Sequence, residues 1–144
     1  MQTTTSWEII KQLKTDLKKI SRSNNYYTDI LEIKEGLYTF EDFTSTPGLF
    51  IHEVKDEILE RLFGNKTVQQ LQIMVRLFMK NEYIDDTSPI NKFVHDIQKF
   101  LTNSDFTYNE DTILDNNVDF YKGGISDPVL IATLQVGIHY SLQL

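Results

Sequence analysis

The sequence predicts an α+β fold: a mainly antiparallel (mixed) sheet of about four to five strands with two helices packed on one face. Three observations predict it. Two long stretches, Val68–Met79 and Val129–Leu142, alternate residue by residue. Two others, Ile9–Ile20 and Ile90–Leu101, place apolar residues at helical spacing. Turn signals separate the stretches, at Pro47-Gly48, Gly64-Asn65 and Gly123-Gly124. Period-2 alternation marks a strand with one buried face, because successive side chains leave opposite faces of a pleated sheet.

The elements follow in order. Thr5-Ser6-Trp7-Glu8 has the pattern of a capping box, and Ile9, Ile10, Leu13, Leu17 and Ile20 then form one helical face. Lys11, Lys14, Lys18 and Arg22 form a stripe beside that face, with Trp7 close to it. Trp7 reads either as an edge-of-core residue or as an interface anchor, since Trp is enriched in binding hot spots. Ser21–Asn25 reads as a helix exit, Tyr27–Glu35 as a short strand, and Gly36–Thr46 as a loop carrying Tyr38, Phe40 and Phe43. Pro47-Gly48 turns the chain into a strand over Leu49–Val54. Glu53–Arg61 is mostly charged, and Ile58, Leu59 and Leu62 suggest a short helical pattern there.

In the first long strand, Leu71, Ile73, Val75, Leu77 and Met79 share one face, and Gln70, Gln72, Met74, Arg76 and Phe78 the other. Ser88-Pro89 then reads as an N-cap with Pro at the first helical position. Asn103–Asn117 is polar and carries no clear period; Val118–Tyr121 reads as a strand. In the last strand, Leu130, Ala132, Leu134, Val136, Ile138, Tyr140 and Leu142 lie opposite Thr133, Gln135, His139 and Ser141. Apolar groups on both polar faces (Met74, Phe78, Val129, Ile131) predict a sheet used on two sides, against helices and against solvent or another subunit.

At 144 residues the chain is read as one domain, 1–144. A chain of that size buries roughly 70% of the surface it exposes when unfolded. With no cysteine, disulfide and thiolate chemistry are excluded. No apolar run approaches the roughly 20 residues needed to span a bilayer. Met1–Ser6 is polar, without the apolar core of a signal peptide, which predicts a soluble protein used without secretion. The net charge of −7 is uneven. Residues 1–22 hold five basic against two acidic side chains, and the remainder nine against nineteen. That balance argues against sequence-specific or broad nucleic-acid binding, which needs clustered Lys and Arg. A positive helix and a negative body instead suit head-to-tail association, although a solvated helix face accounts for the same charges.

Candidate chemistry is sparse. His52, His95 and His139 show no metal-ligand spacing. The acidic groups Glu53/Asp56/Glu57/Glu60, Asp85/Asp86 and Asp115/Asp119 lack the Gly-punctuated spacing of a calcium loop. Gly64-Asn65-Lys66-Thr67 lacks the first glycine and the Gly-Lys adjacency of a phosphate-binding loop, and leads into a strand. The sequence therefore predicts no catalytic, cofactor or metal site, and binding or assembly in place of catalysis.

The order of elements resembles that of the phage tail terminator family, the minor tail protein U-like tail-completion proteins. The resemblance rests on the N-terminal helix, on Asn25-Tyr26-Tyr27-Thr28-Asp29-Ile30 leading to a strand ending at Glu35-Gly36, and on Thr46-Pro47-Gly48-Leu49-Phe50-Ile51 entering a second strand. The strand ending at Met79, the helix from Ser88 and the closing Ile138-His139-Tyr140 complete it. The Gly36–Thr46 loop and the Asn103–Asn117 stretch depart from the simplest version of that layout. The resemblance implies a non-enzymatic virion structural protein, assembled in the host cytoplasm and located in the tail or neck. It implies a homo-oligomeric ring, typically a hexamer, that terminates the tail tube, docks the head connector and lets DNA pass without binding it, with no membrane partner. Other neck or connector positions, or a small acidic domain that binds a host protein, are the competing readings. Glu53–Glu60 and Asp85-Asp86 are candidates for lumen or end surfaces. Candidate subunit or partner contacts are Trp7, Lys11, Lys14, Lys18, Arg22, Tyr38, Phe40, Phe43, Arg76, Phe78, Gln135 and His139.

Overall fold

The computed structural model describes residues 5–80, 88–103, 105–108, 112–122 and 129–143. Along the chain run helix α1 (Thr5–Leu17), strands β1 (Glu32–Glu35), β2 (Gly48–Leu62) and β3 (Lys66–Lys80), helix α2 (Ser88–Thr102), and strands β4 (Thr112–Lys122) and β5 (Val129–Gln143). The strands form one sheet in the order β1-β2-β3-β5-β4. Only the β1–β2 pair is parallel, so the fold is α+β with a mixed, mostly antiparallel sheet.

The two alternating stretches are the paired centre of that sheet. Every residue of β3 faces one of β5, from Lys66 opposite Gln143 to Lys80 opposite Val129. Their apolar faces coincide. Leu71, Ile73, Val75 and Leu77 and, across from them, Ala132, Leu134, Val136 and Ile138 are buried against both helices. α1 contributes Ile9, Ile10, Leu13 and Leu17, and α2 contributes Ile90, Phe93, Val94, Ile97 and Phe100. Fully burying a side chain of this kind contributes about 1.5–3 kcal/mol, so both helices are held to the sheet mainly by these residues. Beyond α2, Phe106 stacks on Phe100 at 5.6 Å and closes the end of the core.

Four local expectations are corrected. The helix already includes Thr5, so Thr5 is its first turn and not its cap, and it ends at Leu17. Lys18 lies in the closing turn and Arg22 in a separate 3-10 turn, Arg22–Asn24. The first strand is shorter than Tyr27–Glu35, because the chain before it bonds elsewhere. The Tyr27 N–H donates to Asp96 Oδ1 on α2 (3.0 Å), and the Leu31 N–H to the Pro47 carbonyl (2.8 Å). The helical pattern in Glu53–Arg61 is not realised: the segment continues β2, paired with β3 as far as Leu62 opposite Lys66. The connecting Phe63–Asn65 turn has Gly64 at φ 74° and Asn65 at φ 60°. Gly and Asn are the residues that tolerate this left-handed region, and the hairpin they close prevails over weak helix propensity. Finally, β4 begins at Thr112, well before Val118, with a register shift between Leu114 and Val118. The expected Asp85-Asp86 surface and the Gly123-Gly124 and Asp127-Pro128 turn lie outside the described residues.

Candidate interaction surfaces

The basic stripe on α1 is only partly available. Lys14 pairs with Glu35 of β1 at 3.5 Å, and Arg22 is held by Asp29 at 3.9 Å and by the Tyr27 carbonyl. Lys11 stands over the Trp7 ring, 5.1 Å from its centre, and Trp7 is 38% exposed. No ion pair engages Lys11 or Lys18 among the described residues. What the α1 surface presents is a partly exposed indole covered by Lys11, and Lys18 in the closing turn beyond the helix. The buried side of α1 carries a charge of its own. The Asp16 carboxylate accepts from Gln12 (2.8 Å) and from the Thr107 amide (3.1 Å) and hydroxyl (2.8 Å). Burial alone raises its pKa, but the Thr107 and Gln12 hydrogen bonds and the Lys19 charge outweigh that and hold it below the ordinary value of 3.8.

The aromatic loop folds back on the sheet. Phe43, Phe50 and Phe78 form a second small core on the face opposite the helices, flanked by Tyr38, Phe40, Met74 and Ile131. The Phe43 and Phe78 rings lie 5.0 Å apart and the Phe50 and Phe78 rings 5.8 Å apart. Phe43 and Phe78 are therefore interior residues of this chain; packing removes both from the exposed contact positions, and Tyr38 and Phe40 are half-buried beside them. The loop is tied down at both ends. Thr39 and Asp42 cap its short helical turn reciprocally. The Glu32 carboxylate accepts from the Thr44 and Ser45 amides at 2.9 and 3.1 Å. Those amides, chiefly Ser45, and Lys34 hold the Glu32 pKa below its ordinary value. Gly48 permits the packing, since a Cβ there would meet Phe43 Cδ1 at 2.7 Å.

The rest of that open face is polar and nearly uncharged at its centre. Arg76 donates through Nε to the Thr133 hydroxyl at 3.0 Å, and its guanidinium lies 5.7 Å from the Phe50 ring centre. It borders a cavity of about 380 Å³ shared with Asp119, Phe120, Tyr121 and Ile131. Gln135 is exposed; His139 is half-buried, with Nε2 3.2 Å from Gln70 Oε1. His52 is level with Met74 and Gln135, so two strands and four residues of register separate it from His139. His95, on α2, lies against Tyr27. The three histidines do not converge, and no cluster of three His, Asp or Glu suited to a metal occurs among the described residues.

The chain matches no protein-family model and no curated protein.

The sequence singles out Glu53–Glu60 as an acidic candidate surface; what it does not disclose is that this segment is the outer half of β2, a strand edge with exposed apolar residues. β1 pairs with β2 only from Gly48 to Ile51. From His52 to Leu62 the other edge of β2 has no strand beside it among the described residues. Val54, Ile58, Leu59 and Leu62 are exposed there, and Phe63 at the turn is fully exposed. Val54 and Leu59 sit where the register shifts, as bulged residues. The segment is anchored from its paired side. Asp56 accepts from the Tyr140 hydroxyl at 2.5 Å and from Gln69 Nε2 at 3.1 Å, and Gln69 bonds Thr67 in turn. Burial, then the hydrogen bond and charge of Asp56, push the Tyr140 phenol well above its ordinary pKa, so it stays a donor. The sequence signal for this surface was the Gly64-Asn65 turn: a turn immediately before a long strand requires a strand on its other side.

Proposed function

We propose that this chain is a non-enzymatic virion structural protein that assembles into a ring, ends the tail tube and joins it to the head connector. The observation that carries the reading is the outer half of β2, a sheet edge without a partner strand among the described residues, bearing Val54, Ile58, Leu59, Leu62 and the fully exposed Phe63. Exposed apolar edges are a hazard that monomeric proteins blunt, and contiguous apolar surface marks an interaction site. The likeness of the element order to tail terminators supports assigning that interaction to ring assembly. The split between the α1 cations and the acidic remainder supports contact between unlike surfaces, the kind a ring requires.

The test is size-exclusion chromatography with light scattering, followed by electron microscopy of the purified protein mixed with tail tubes. The expected result is a discrete ring, concentration-dependent in its population, that caps tube ends and halts their growth. A protein that stays monomeric at its highest soluble concentration and leaves tube ends bare would overturn the reading.

A further inference from the structure

We infer that the cavity beside Arg76, on the open face of the sheet, binds a free α-amino acid with an apolar side chain. The site goes beyond the proposed assembly and does not depend on it.

Three residues cross the sheet in one row. Arg76 on β3 is opposite Thr133 on β5, and Thr133 is opposite Asp119 on β4. Residues paired in this way leave the same face of a sheet. The row therefore sets a cation and an anion on either side of a hydroxyl, with their Cα atoms two strand spacings, or roughly 10 Å, apart. No ion pair engages either charge among the described residues. Both instead border the same cavity of about 380 Å³, a volume in the range of small-molecule sites.

The guanidinium is held in place from its other sides. Nε donates to the Thr133 hydroxyl at 3.0 Å, Nη2 lies 3.9 Å from the Met74 sulfur, and the group stands 5.7 Å from the Phe50 ring centre. Nη1 donates to no group among the described residues. The Thr133 oxygen accepts from Arg76, which leaves its own O–H to donate. A fixed guanidinium beside a hydroxyl donor suits a carboxylate. Asp119, exposed at the far end of the row, is an acceptor for an ammonium group. An α-amino acid carries both groups on one carbon. A phosphate offers nothing to Asp119 and is repelled by it. Tyr121 is exposed and opposite Ile131, and these two give the cavity apolar walls for the ligand's side chain.

The test is a titration of the full chain with L-phenylalanine, followed by the backbone amide shifts of Arg76, Asp119, Tyr121 and Thr133. The expected dissociation constant is about 1 mM or tighter. N-acetylphenylalanine lacks the ammonium and phenylalaninamide lacks the carboxylate, and each should bind about tenfold more weakly. Arg76→Gln should weaken L-phenylalanine about tenfold and leave phenylalaninamide unchanged. Asp119→Asn should weaken L-phenylalanine but leave N-acetylphenylalanine unchanged or improve it. Circular dichroism checks the fold of each variant, and the two analogues test the site on the parent chain alone. No shift at these residues up to about 10 mM L-phenylalanine would overturn the site. So would either analogue binding as well as L-phenylalanine, or shifts that survive both substitutions. None of these outcomes bears on ring assembly.

Discussion

Two buried aspartates show how much a carboxylate depends on its partners. Asp16 and Asp96 are 2% and 0% exposed. Asp16 receives three hydrogen bonds and a nearby lysine, whereas Asp96 receives the Tyr27 amide on one oxygen and, among the described residues, no hydrogen bond on the other. A half-satisfied buried carboxylate carries a large desolvation cost, while a fully bonded one recovers it. Asp16→Asn is expected to lose about 1–3 kcal/mol, because an amide cannot accept at both oxygens. Asp96→Asn keeps one acceptor for Tyr27 and is expected to be neutral within about 1 kcal/mol, or stabilising. Urea unfolding at pH 7 measures both; a larger loss at Asp96 than at Asp16 would contradict the argument. The pH dependence follows in sign. The Asp16 pKa is lowered on folding, so its contribution is present above the unfolded value and is lost as pH falls through the folded one. Stability should therefore decline below about pH 4, and Asp16→Asn should reduce that slope. It should not abolish it, because Glu32 is lowered in the same direction.

Among the elements, the aromatic loop and β2 show what the sequence can disclose. Alternation in β3 and β5 is legible because both strands have one face in the core and pair along their whole length. The outer half of β2 buries neither face, so no period of two was imposed on it, and its charges and leucines read as weakly helical. Tyr27–Ile30 looked like a strand by composition, but its backbone is captured by Asp96, a partner 69 residues away that no local pattern announces. The candidate contacts divide by the same rule. Lys11 and Lys18 are on the surface, as helical spacing indicated, whereas Phe43 and Phe78 were candidates only because the loop's return over the sheet was invisible. That return makes a prediction. Gly48→Ala places a Cβ 2.7 Å from Phe43 Cδ1 and 3.2 Å from the Ser45 carbonyl oxygen. It should cost about 1–3 kcal/mol by overpacking and speed amide exchange across Thr39–Ser45 while leaving β3 and β5 protected. Equal loss of protection throughout the sheet would show that the loop is not a separate unit.

At the scale of the molecule, the question is which force would govern association. The chain carries −7, so two copies repel at long range. An exposed ion pair contributes about 0.2–1 kcal/mol, less than the about 1.5–3 kcal/mol that burying one large apolar side chain supplies. Phe63 is fully exposed, and Leu59 and Leu62 stand beside it, so apolar burial should set the affinity and charge should set the choice of partner surface. Two measurements separate these roles. Phe63→Ser should weaken association about tenfold to a hundredfold without changing the unfolding free energy of the monomer, since the ring touches solvent there. Raising the salt from about 0.05 to 0.5 M shortens the screening length severalfold, yet it should change the dissociation constant less than that single substitution does, because relief of the −7 repulsion partly offsets the weakening of exposed ion pairs. If salt instead disperses the assembly while Phe63→Ser leaves it whole, the charges are the adhesive and the apolar edge is not.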